Sequence, residues 1–258
     1  MDLGLAGRTV VVTGASSGVG LATARMLLAE GANVAACARD GDRLERVLDG
    51  PPGALRTAAC DVLDESAVRE FVDRTADAFG GVDCVVNNAG RSLMARLHET
   101  DDRQWRDELD LKIFSVLHLV RTARPWLRRS DAGAVVNVNA ILARQPETRL
   151  AATSAARAAL LNLSKTLSAE LAADGIRVNS VCLGLIDTGQ WRRRYEESGC
   201  ALDYAAWNAE LAADRGIPLG RLGTADEVAY PIVALLSPRA SYITGSSIDV
   251  GGGVARHV

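Results

Sequence analysis

The sequence predicts an α/β protein, a single-domain Rossmann-type doubly wound parallel sheet with helices on both faces. Three observations predict it. Short β-branched and apolar runs alternate with longer helical stretches along all 258 residues. Several short runs are continuously apolar, which suits strands covered on both faces. The first run also leads straight into a glycine-rich turn.

Residues 8–13 are rich in Val and Thr and form the first predicted strand. A helix over 19–30 follows and stops at Gly31, a residue suited to capping a helix C-terminus. Strand 33–37, helix 42–48 and strand 55–60 continue the alternation, and 65–79 has the period of an amphipathic helix. Strand 82–86 precedes a long helix over 105–127, apolar enough to be largely buried. Strand 134–138 leads to a second long helix over 153–173, rich in small residues and ended by Asp174-Gly175. Strand 176–181, helix 226–236 and strand 247–250 close the pattern. Between them, 190–215 reads as a helical insertion. No Pro/Ser-rich linker divides the chain, so residues 1–258 are expected to form one domain with a lid-like insertion at about 189–216.

Composition narrows the function. Hydrophobic residues make up 48% and charged residues 24%, and the net charge is −3. That balance gives no footprint for nucleic acid or a membrane surface. The five cysteines form no C-x-x-C pair, so free thiols and no metal site are expected. No apolar run is long enough to span a bilayer and the first residues do not read as a signal peptide; a cytoplasmic protein acting on a small molecule is expected.

Thr13-Gly14-Ala15-Ser16-Ser17-Gly18-Val19-Gly20 lies between the first strand and the first helix. Gly14 permits a tight turn, and Gly18 and Gly20 permit close approach of backbone to a pyrophosphate. The helix N-terminus offers free N–H groups and partial positive charge. The spacing resembles the T-G-x-x-x-G-x-G turn of short-chain dehydrogenases/reductases. Asp61-Val62 resembles that family's adenine contact, and Asn87-Asn88-Ala89-Gly90 its N-N-A-G motif beside the ribose. Leu183-Gly184-Leu185-Ile186-Asp187-Thr188 is similar to its P-G-x-I-x-T run, with Leu183 in place of proline, and the resemblance puts Thr188 at the nicotinamide amide. Gly220 to Gly223, Tyr242 to Gly245 and Gly251 to Gly253 complete a likeness that covers nearly the whole chain.

At the end of the second strand Ala38 stands where an acid would bind the 2′-hydroxyl of NAD, and Arg39 follows. An arginine suits a 2′-phosphate, with Ser16 as a further hydroxyl contact, so NADP(H) is favoured over NAD(H).

The resemblance implies catalysis by Asn, Ser, Tyr and Lys, with the last two four residues apart on one helix face. This chain has no tyrosine before Tyr195, and its only lysines are Lys112 and Lys165. Aligned on strand 134–138, the serine place holds Ala140, the tyrosine place Thr153 and the lysine place Arg157. Asp110 is aligned with the asparagine. Arg157 can still hold ribose hydroxyls, but a guanidinium does not give up its proton. Thr153 can orient a substrate, Asn139 can offer an amide, and Asp110 can pair with Arg157 or Lys112 or act as an acid if buried. Tyr195 and Tyr204 in the insertion are further acids, and its arginines are candidates for attracting an anionic substrate.

Three functions are compatible with these residues. The first is an NADP(H)-dependent oxidoreductase acting on a carbonyl or alcohol through a non-standard site. The second is non-redox chemistry on the same fold (cyclase, dehydratase or lyase). The third is a non-catalytic cofactor-binding homologue. The resemblance also implies a homo-oligomer, a tetramer or dimer.

Overall fold

A computed structural model gives the fold and describes residues 2–257. Seven parallel strands lie in the order β3-β2-β1-β4-β5-β6-β7. They are β1 (Thr9–Thr13), β2 (Asn33–Ala38), β3 (Leu55–Ala59), β4 (Cys84–Asn87), β5 (Ala134–Ala140), β6 (Arg177–Leu183) and β7 (Ser247–Val250). The order reverses between β1 and β4, and such a switch point opens a crevice at the carboxyl ends of the strands. Every residue of β1, β4 and β5 is buried, including Asn87, Asn137 and Asn139, which interrupt otherwise mostly apolar runs.

The helices are α1 (Gly18–Ala29), α2 (Gly41–Val47), α3 (Glu65–Phe79), α4 (Asp102–Leu127), α5 (Ala151–Leu171), α6 (Gly189–Ser198), α7 (Tyr204–Asp214) and α8 (Ala225–Leu236). One core joins Leu27, Leu44 and Ile232, from α1, α2 and α8, to Val10, Val34 and Val136. The other joins Phe71, Leu119 and Leu160, from α3, α4 and α5, to Val11, Val85 and Val135. Strand residues alternate between these cores, so the sheet is covered on both faces.

Most element ends differ from the sequence reading by one to three residues. The α4 helix starts at Asp102 because Asp101 accepts from the Gln104 N–H while the Gln104 side chain accepts from the Asp101 N–H. The insertion is two helices rather than one. It breaks at Gly199, which adopts φ +60°, and Asp203 caps the start of α7.

Candidate active site

The phosphate turn joins β1 to α1. A Cβ on Gly20 would lie 2.4 Å from both Asn88 Nδ2 and the Gly14 carbonyl oxygen. Gly14 has φ +65°, and a Cβ there would lie 2.8 Å from Ala89 Cα. Only glycine allows this approach of the turn to the loop after β4. Hydrogen bonds then tie the two segments together. Asn88 Nδ2 donates to the carbonyls of Thr13 (2.9 Å) and Gly14 (3.1 Å), and Thr13 Oγ1 accepts from the N–H groups of Asn88 and Ala89, each at 3.0 Å. Ser17 begins α1 without a side-chain cap bond, so the helix N-terminus, with Ser16, Gly18 and Val19, keeps donors for an anion. The methyl of Thr188 lies 3.3 Å from where a Cβ of Gly18 would stand, so the strand β6 loop reaches across the turn. Ile186 of that loop is buried and bridges to Gly223.

Among the positions expected to face adenosine, Arg39 and Asp61 are exposed. Arg39, among the described residues, forms no ion pair; Asp40 instead caps α2 through the Arg43 N–H. Val62 is buried, and His118 Nδ1 sits 3.2 Å from the Val62 carbonyl oxygen.

Beside the positions aligned with the family's catalytic residues lies a buried charged pair that the sequence alignment missed. On α4 the face toward α5 carries Glu108 and Lys112, both buried. Lys112 Nζ donates to Glu108 Oε2 (2.9 Å) and to the carbonyl of Arg91 (2.8 Å), while Thr153 Oγ1 donates to the same Glu108 oxygen at 2.6 Å. Asp110 lies two residues round the helix from Glu108, only partly buried, and makes no ion pair among the described residues. Asp110 thus forms neither of the ion pairs open to it, with Lys112 or with Arg157. Two residues span about 200° of helix, so Asp110 and Glu108 cannot share a face. The signal was present in the sequence: Glu108 and Lys112 lie in helical phase with Val116, Leu119 and Ala123.

Two other side chains are less free than expected. Thr153 is fully buried, and its hydroxyl also accepts from the Leu93 N–H at 3.0 Å. It thus fixes the loop after β4 onto α5. Asn139 is also fully buried, its Nδ2 donating to the Arg157 carbonyl (3.1 Å) and its Oδ1 accepting from the Ala140 N–H (2.9 Å). Arg157 holds the middle of the cluster. One of its Nη atoms donates to the Val138 carbonyl at 2.7 Å, the other lies 3.5 Å from where a Cβ of Gly90 would stand, and its Nε is buried without a partner.

Burial sets the electrostatics. It pulls the Lys112 ammonium down to about 8, helped by the nearby Arg157 cation and opposed by the bond to Glu108. Burial also lowers Arg157, and Glu108 opposes that shift. In the insertion the Tyr195 hydroxyl donates to the Leu202 carbonyl at 2.8 Å, and the Tyr204 hydroxyl donates to Asp187. Burial first, then that bond, raises the Tyr204 phenol.

A glycine cradle at the switch point, the N-N-A-G loop bonded to it and the threonine of the loop after β6 lying over it match one family in order. The family model described as Enoyl-(Acyl carrier protein) reductase matches residues 14–255. The chain belongs to the short-chain dehydrogenase/reductase family. Among its relatives in this oxidoreductase family, a 3-oxoacyl-[acyl-carrier-protein] reductase of Thermotoga maritima is 31% identical over 253 residues, 97% of this chain and 98% of that protein. A short chain oxidoreductase from Pseudomonas aeruginosa PAO1, described as containing an atypical catalytic center and solved with NADPH bound, is 47% identical. The match covers 97% of this chain and 98% of that one, with a TM-score of 0.91. The L-sorbose reductase of Gluconobacter frateurii, complexed with NADPH and L-sorbose, is 32% identical with a TM-score of 0.92 and covers 100% of both chains.

Among the described residues no group of His, Cys, Asp and Glu could hold a metal ion, and no helix is long and apolar enough to cross a membrane.

Proposed function

We propose that this short-chain dehydrogenase/reductase is an NADP(H)-dependent oxidoreductase that interconverts a carbonyl and an alcohol, with the buried Glu108–Lys112 pair as its proton source. The single observation that carries the reading is the placement of Lys112: a buried ammonium bonded to a carboxylate that Thr153 also contacts, where burial and the nearby Arg157 favour loss of its proton. The residues fit the dinucleotide. A Cβ would fill the cradle at Gly14 and Gly20, α1 presents free donors, and the unpartnered Nε of Arg157 and the exposed Arg39 offer cations for the ribose and the 2′-phosphate. When bound, a reduced nicotinamide supplies the hydride.

The chain's residues then manage the proton. Lys112 Nζ holds it near neutral pH and releases it more readily than an exposed lysine. Glu108 Oε2 receives bonds from both Lys112 and Thr153, and the Arg157 cation offsets its charge once the Lys112 proton has left. Thr153 and Asn139 act as positioning residues, fixing the Leu93 loop and the Arg157 backbone. Asp110 is left on the outer side of α4. Helices α6 and α7 form the lid over the cleft.

None of the relatives named above bears a name for non-redox chemistry. Exposed Leu109 and Phe114 on α4, and Tyr230 and Ile248 at α8 and β7, supply apolar faces for the proposed homo-oligomer.

The test is loss of reduced-nicotinamide absorbance with a panel of ketones and aldehydes, using NADPH and NADH in parallel. Oxidation of NADPH but not NADH supports the reading, and no oxidation of either with any carbonyl overturns it. Arg39→Ala is expected to weaken NADPH binding by about tenfold or more and to leave NADH binding unchanged, as measured by nicotinamide fluorescence.

A further inference from the structure

The insertion concentrates features that the reaction as described does not use. Half of the chain's tryptophans and half of its tyrosines lie in α6 and α7. Trp191, Tyr195, Tyr204 and Trp207 form one connected aromatic patch, with ring centroids 5.2–6.3 Å apart. The patch adjoins the cleft. Trp191, Leu185 of the β6 loop and Val254 all pack against the small core of Ala212, Ile217 and Leu222, and Tyr204 bonds Asp187, the neighbour of Thr188.

Guanidinium groups gather beside it. Arg194 stacks over Trp191 at 4.5 Å from the ring centroid. Arg215 bonds Glu147 at 2.7 Å, and its buried Nε has no hydrogen-bond partner, with Asp214 Oδ2 3.9 Å away. Arg149 stands two residues after Glu147 and directly before Leu150, whose bridge to Ala95 ties this corner to the loop that carries Gly90 and Leu93. Arg256 Nη2 lies 4.0 Å from where a Cβ of Gly216 would stand, beside Arg215. Burial and then the nearness of Arg215 lower the Arg194 proton affinity; Glu197 opposes this and Arg149 adds to it. Among the described residues neither Arg149 nor Arg194 has an ion-pair partner. Arg215 has Glu147, but Arg149 and Arg194 add two positive charges to this rim with no ion pair of their own, and an anion bound between them would offset their repulsion.

We propose that Arg149, Arg194 and Arg215 form the oxyanion-recognition end of the substrate site, and that the substrate is a carbonyl or alcohol compound bearing a carboxylate or phosphate across an aromatic or apolar body. This rests on the reading of the cleft as a substrate site. Arginine forks recognise planar oxyanions by paired hydrogen bonds, and the aromatic patch supplies a wall for the body that links the anion to the reacting carbon. The three cations lie on the loop leading into α5, on α6 and just after α7, so the fold of the insertion sets their spacing.

Three probes of one shape test it: 4-formylbenzoate, its methyl ester and 4-formylphenyl phosphate. Each is titrated into the NADPH-loaded protein and followed by tryptophan fluorescence, since Trp191 lies under Arg194. The expected result is that one of the anions binds at least about tenfold more tightly than the ester, and which one does so separates a carboxylate from a phosphate substrate. Arg149→Gln with Arg194→Gln should abolish that preference. Neither arginine holds a carboxylate, so the double substitution orphans no buried charge. Equal binding of acid and ester, a preference that survives in the double variant, or no binding by any probe overturns the proposal. Absorbance of the reduced nicotinamide is read in the same samples. Anion-selective binding without oxidation would count against the redox reading alone, and oxidation without anion preference against this proposal alone.

Discussion

Lys112→Met is expected to destabilise the protein by about 3–5 kcal/mol, because it strips a buried carboxylate of its partner. For a chain of this size that is a fall of roughly 6–20 °C in Tm. Glu108 then sits buried with only the Thr153 hydroxyl as donor. Adding Glu108→Leu should restore most of the loss, since replacing both members of a buried pair by apolar side chains is often close to neutral. The pH dependence gives an independent check. Folding lowers the Lys112 value to about 8 from the ordinary lysine range, so between those two values the unfolded chain binds the additional proton. Stability therefore rises with pH through that window, and the slope should be smaller in the Lys112→Met protein. Thermal unfolding of wild type, single and double variants across pH measures all of this. A single variant as stable as wild type would show that the pair is not held as described.

Gly20→Ala should weaken cofactor binding by about a hundredfold. The new methyl would meet Asn88 Nδ2 and the Gly14 carbonyl at 2.4 Å, and neither can move without breaking the cradle. Displacing Asn88 removes two hydrogen bonds to the turn, worth roughly 2–3 kcal/mol together, which corresponds to that loss in Kd. Fluorescence titration with NADPH reads the affinity, and a melting curve without cofactor separates this loss from unfolding. Undiminished affinity would mean that the turn does not hold the phosphates.

The fold was legible because its signals are local. Strands β1, β4 and β5 are short, apolar and buried on both sides, and the glycines after β1 announce both the turn and the ligand it suits. The catalytic end was only half legible. Ala140, Thr153 and Arg157 follow from fixed spacing along β5 and α5. Glu108 and Lys112 do not, because α4 inverts the usual rule: two charged residues are buried while Leu109 and Phe114 on the same helix are exposed. Counting from a family motif gives Asp110; helical phase groups Glu108 and Lys112 with the buried residues of the same helix. Nor could sequence show that the hydroxyl of Thr153 and the amide of Asn139 are already engaged by Glu108, Leu93 and the Arg157 backbone. Those bonds cross between elements far apart in the chain. The break at Gly199 and the gathering of Arg149, Arg194 and Arg215 belong to the same class of information.

The central claim is that Lys112 gives the proton that a tyrosine gives elsewhere in the family. Lys112→Arg tests it most directly, because an arginine keeps a cation beside Glu108 but does not release its proton near neutral pH. On any carbonyl that wild type reduces, the variant should bind NADPH normally yet lose about 10²–10⁴-fold in kcat. Wild-type reduction should be level at lower pH and fall above about 8, where Lys112 loses its proton, and the reverse oxidation should rise through the same region. A Lys112→Arg protein that turns over like wild type, with an unchanged pH profile, would contradict the account.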